Sequence, residues 1–148
     1  MRFVLAFALA TLAFTPAASA ASDKVLDVQE IAALETKAAQ AAPKEQCFLY
    51  AELAHSMAQL ASQQFSAGDT ANASASLKAV QKYAEKIHMG VADDAKKLKN
   101  AEILMRHTAY QLKELMMGVS LDDRPTLEST LKQLDQVEAE MMVQVFKH

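Results

Sequence analysis

The chain has 148 residues, with 15 basic and 18 acidic ones, a formal net charge of −3 and a mean hydropathy of −0.01. A mildly acidic chain without a basic tract is a poor match for nucleic acid or for an anionic lipid surface. Its single cysteine excludes an internal disulfide, so stability must come from packing.

The first twenty residues read as a secretory signal peptide. Arg2 supplies the positive start, Phe3 to Phe14 an apolar stretch, and Ala18-Ser19-Ala20 the small residues of a cleavage site. The expected mature chain begins at Ala21 and is periplasmic or secreted. It has 128 residues and a net charge of −4, enough for one domain. No second apolar run approaches the roughly 20 residues needed to span a bilayer, so the reading predicts no membrane span.

Beyond the signal, only Pro43, Gly68, Gly90, Gly118 and Pro125 interrupt a helix-patterned chain. They divide it into five predicted helices. The first covers about Asp23 to Gln40, with Val25, Val28, Ile31, Ala32, Leu34 and Ala38 at helical spacing and Asp23 as its N-cap. Pro43 disfavours helix at Ala42 and makes residues 39–43 a hinge. Residues 21–43 are therefore expected to be an N-terminal helix and hinge, and residues 44–148 a four-helix domain.

The second helix runs from about Lys44 to Ala67 on a stripe of Leu49, Leu53, Met57, Leu60, Ala61 and Phe65, and Gly68 suits the left-handed position that ends it. Asp69 or Thr70 caps the third, which reaches about His88 with Ala73, Leu77, Val80, Ala84 and Ile87 inward. Gly90 closes it, and Asp93 or Asp94 opens the fourth. That helix carries Leu98, Ala101, Met105, Ala109, Leu112 and Met116 on one face, widened by Ile103, Leu104 and Leu115, so more than one neighbour should cover it. Gly118 ends it. Asp123 caps the fifth helix, Pro125 sits in its first turn, and Leu127, Leu131, Leu134, Val137, Met141 and Val145 follow at spacings of three and four. Short connections make chain neighbours antiparallel. The expected fold is all-α, an antiparallel helical bundle or a fragment of stacked two-helix hairpins.

Met57 to Val80 carries a resemblance. Leu60-Ala61, Phe65, the Gly68-Asp69 turn, and Ala73, Leu77 and Val80 stand where a tetratricopeptide hairpin has its small and apolar positions, so the segment resembles that family. Lys96-Lys97-Leu98-Lys99 through Ile103, with the Asp122-Asp123-Arg124-Pro125 turn, resembles small exported bacterial helical proteins of unassigned function. The tetratricopeptide resemblance implies an interaction scaffold; the other implies an architecture and a compartment.

Chemistry is harder to find. There is no G-x-S-x-G, H-E-x-x-H, glycine-rich phosphate loop or C-x-x-C-H. Asp93-Asp94 and Asp122-Asp123 lie at helix starts, where they offset the dipole, and Glu138 and Glu140 are expected to face solvent. No catalytic residue, cofactor or metal ligand is assigned. Met57, Met89, Met105, Met116, Met117, Met141 and Met142, with His55, His88, His107 and His148, raise a copper alternative, since thioether and imidazole suit Cu(I). The local pairs do not share a helix face, and methionine commonly fills core gaps. Lys96, Lys97, Lys99, Arg106 and Lys113 form a candidate face for an acidic partner, against the reading that lysines simply cover the flanks of a helix. Cys47 reads as a buried apolar residue or, in an oxidising compartment, as the link of a homodimer; an exposed methionine face is the other candidate contact between copies. The functional expectation is an exported, non-enzymatic module that binds a protein partner in the cell envelope.

Overall fold

The computed structural model describes residues 24–87 and 95–147. Among them the fold is five α-helices: α1 (Val28–Gln40), α2 (Pro43–Ser66), α3 (Thr70–Glu85), α4 (Ala95–Met116) and α5 (Arg124–Val145). None is long and apolar enough to cross a membrane. The expected signal peptide, the Asp23 cap, Gly90 and the Asp93-Asp94 start of α4 lie outside the described residues.

Local chemistry sets the helix ends. The α1 helix starts about a turn later than expected, because Asp27 and Glu30 form a capping box. The Glu30 N–H donates to Asp27 Oδ1 at 2.8 Å, and the Asp27 N–H to Glu30 Oε2 at 3.0 Å. Pro43 occupies the first turn of α2 behind an extended Ala42. At the other end Gly68 has φ of +78°. Its N–H donates to Phe65 O at 3.0 Å and that of Asp69 to Gln64 O at 2.9 Å, the two bonds of a Schellman motif. Asp69 then caps α3 through the Asn72 N–H and side-chain amide. Asp123 precedes α5 but caps nothing with its side chain; its Oδ2 accepts from the Ser120 hydroxyl at 2.7 Å.

The packing joins α2 to α3 and α4 to α5 as hairpins, then sets one hairpin beside the other. The neighbours are α2 with α4 and α3 with α5, while α3 and α4, consecutive in the chain, form no packed pair. Lys97 on Glu45 and Thr108 on His55 advance together along the two helices, so α2 and α4 run parallel. On the other side the Gln81 amide donates to Thr130 Oγ1 at 2.8 Å, and Gln133 Nε2 donates to Gln81 O at 3.0 Å. The expected all-α helical bundle is thus formed, with its two hairpins lying side by side.

The shared core is built from Leu53, Leu77, Leu98, Met105, Leu112 and Leu134, all wholly or almost wholly buried. Each contributes about 1.5–3 kcal/mol by leaving water. The α2 helix adds Ala51, Ala54, Ala58 and Ala61, all at 0% exposure. Two expectations need correction. Leu60 is only half-buried and outside the packed cluster, because the inward face of α2 is centred on its alanines. Glu138 is half-buried rather than solvated, and Glu140 is exposed. The α1 helix packs on α2 through Ile31, Leu34 and the fully buried Ala38.

A Cβ at Gly68 would meet nothing within 4 Å, so only backbone strain penalises substitution there. Gly68→Val should destabilise the fold by about 1–2 kcal/mol. Leu77→Asp should cost about 3 kcal/mol or more by burying a lone charge. Gln63→Asp and Lys78→Asp, at exposed positions, should stay within roughly 0.5 kcal/mol. Urea denaturation of the four variants checks the register, and equal midpoints would contradict it.

Candidate functional site

The basic residues of α4 do not converge. Lys97 reaches back to Glu45 of α2 at 2.8 Å, Lys113 reaches Asp135 of α5 at 3.2 Å, and Arg106 pairs with Glu102 one turn earlier at 2.9 Å. Lys96 and Lys99 are exposed on the same helix. Among the described residues Lys97, Arg106 and Lys113 are thus already opposite carboxylates, in largely exposed pairs worth little to stability. The Glu102 carboxylate is the exception in burial. Its Oε1 has no hydrogen-bond partner, and its charge, after burial itself, helps hold the Glu138 carboxyl above the usual range.

The methionines and histidines are also dispersed. Met105 and Met141 are in the core, Met57 and Met116 are half-buried against it, and Met117 and Met142 are exposed. The last two lie at opposite ends of the α4/α5 hairpin. His88, Met89 and His148 fall outside the described residues. Among the described residues no group of three or more His, Cys, Asp or Glu could hold a metal ion. Cys47 is 1% exposed, and burial pushes its thiol up to about 11. A disulfide to a second copy would require α2 to part from its neighbours.

A different place gathers polar groups. An open groove of about 850 Å³ lies between α1 and α4 with α2 as its floor. Its walls are mainly apolar: Leu26 and Leu34 on one side, Ile103 and Leu104 on the other, with Phe48 at the base. The floor is a polar stripe of α2, Glu52, His55, Ser56 and Gln59, spaced so that all four share one helix face. Volume and lining fall within the range of ligand pockets.

The floor is unevenly satisfied. Ser56 donates to Glu52 O at 2.8 Å. The Thr108 hydroxyl donates its one proton to Leu104 O at 2.8 Å, so its Oγ1 accepts from His55 Nδ1, 2.9 Å away. This arrangement places the proton of a neutral His55 on Nδ1 and makes Nε2 the acceptor nitrogen. Gln59 is 8% exposed as a residue and lines the floor, where its side-chain amide is not fully enclosed. Glu52 is half-buried and makes no ion pair among the described residues. Burial pushes its carboxyl above the usual range, and the Lys37 charge opposes this only from a distance. Lys24, at the rim, is joined to Glu30.

Of these four floor residues only His55 was singled out from the sequence, as a candidate copper ligand. The signal was present, since Glu52, His55, Ser56 and Gln59 recur at helical spacing beside the alanine face. A polar stripe normally marks a solvated helix face. Only the placement of α1 and α4 on either side of it makes a groove.

The raised Glu52 pKa has a signed consequence. The folded state keeps this proton to higher pH than the unfolded chain does, so its stability falls as pH rises from the ordinary value of 4.5 through the raised one. Glu52→Gln should therefore raise the urea midpoint at about pH 7 and leave it unchanged at about pH 4. A gain independent of pH would show that Glu52 is not desolvated. Compared with protein-family models, with curated proteins and with solved structures, the chain matches none.

Proposed function

We propose that this chain is an exported, non-enzymatic helical module that binds another protein, and that the α1/α2/α4 groove, not the lysine flank of α4, is its working surface. The observation that carries the reading is the groove itself, open between α1 and α4 and walled by apolar side chains over the half-buried Glu52 of its floor. An apolar-walled groove of this size with a few polar groups on its floor has the anatomy of a binding site. The side-by-side hairpins are in keeping with the tetratricopeptide-like reading of residues 57–80, and scaffolds of that kind work by presenting helix surfaces. Export rests on Arg2, the Phe3 to Phe14 stretch and Ala18-Ser19-Ala20. The copper alternative is not adopted, because no methionine lines the groove beside His55 and His107.

Photocrosslinking tests the surface. A benzoylphenylalanine at position 103, on the groove wall, should give discrete protein adducts in the native envelope fraction, whereas the same group at position 99 should not. Adducts from position 99 alone would move the binding face to the lysine flank. Protein recovered from outside the cytoplasm should begin at Ala21 by mass spectrometry, and a chain retaining Met1 would overturn the signal assignment.

A further inference from the structure

The groove is selective about charge as well as shape. Of its lining cations, Lys24 is joined to Glu30, and Lys37 is exposed and acts on Glu52 only through space. The remaining titratable groups are His55, bonded to Thr108, and His107 on α4. The half-buried Glu52 carboxylate is thus the charge most in need of a counter-ion. An anionic ligand would bring a second negative group against it, whereas a cationic one would offset its desolvation.

Spacing adds a second constraint. Glu52 and Gln59 are seven residues apart on one helix, two turns or about 10 Å along the groove floor. One compact head group cannot engage both. An extended segment of about three residues or a two-turn helix can, and either would lay apolar side chains on Leu34, Ile103 and Leu104. Resting on the binding reading above, we propose that the groove takes a polypeptide segment of mixed apolar and basic character, one basic side chain set on Glu52 and an amide or backbone group on Gln59. The net negative charge of the chain would also favour encounter with such a segment.

Fluorescence anisotropy with the mature chain tests this, using two labelled amphipathic probes of roughly 14 residues. One alternates blocks of Leu with Lys, and the other has Glu in place of every Lys. At about 0.15 M salt the Lys probe should bind about tenfold more tightly than the Glu probe. Glu52→Gln should remove most of that preference. Glu128→Gln, the same charge change at an exposed site on α5, should leave it intact. Gln59→Leu should weaken the Lys probe about fivefold. Equal affinity for both probes, with both lost on Ile103→Asp, would overturn the charge assignment and leave the groove reading standing. Binding indifferent to Ile103→Asp would overturn both. Failure of the Lys probe to bind at millimolar concentration would overturn the inference, while the crosslinking pattern would still decide the groove.

Discussion

The α2 helix is packed by α1, α3 and α4 together, and four of the five side chains it buries completely are alanines. A helix with three close neighbours has little room for large side chains, because the approach of the axes depends on what stands between them. Ala51, Ala54, Ala58 and Ala61 let the neighbours come near, and the bulk of the core is supplied by leucines and methionines of α3, α4 and α5. Enlarging one of these alanines would push a neighbour outward, a displacement that well-packed interiors tolerate poorly. The face of α2 turned away from the core is flanked on both sides. Its polar residues lie at the bottom of a groove and are only partly hydrated.

How far the sequence discloses this depends on the range of each interaction. Pro43, Gly68, Asp69 and Pro125 act within a few residues, and each stands where its local preference put it. The cap of α1 was displaced because Asp27 has Glu30 three residues later, a local cue that the apolar pattern beginning at Val25 obscured. Leu60 was misplaced for a different reason. Hydrophobic stripes favour large residues, whereas Ala54, Ala58 and Ala61 turn the second half of the α2 seam away from Leu60. The groove was out of reach because it exists only through the relative placement of α1 and α4, which belong to different parts of the chain. Glu138 was read as solvated since nothing in its neighbours reveals that Glu102 faces the same seam.

Polar groups divide the molecule into two kinds of seam. Between the hairpins they are largely paired: Lys97 with Glu45, His55 with Thr108, and Gln81 with Thr130 and Gln133. These bonds fix register where the packed surfaces are otherwise alanine and leucine, which could slide with little loss. In the groove, by contrast, Glu52 is half-buried without an ion pair among the described residues, at some cost to the fold.

The cross-hairpin bonds join residues between 49 and 53 positions apart. Synthesis runs from the N-terminus, so α2 and α3 can close their own turn well before the residues that cover their second side have emerged. For that interval the first hairpin presents a long, half-finished surface with Leu53 and Leu77 at its centre. Such intermediates are prone to pair with the wrong partner, including the corresponding hairpin of a neighbouring chain. A domain-swapped exchange of second hairpins would satisfy every one of these bonds, and the length of the segment joining α3 to α4 would then govern whether each chain closes on itself.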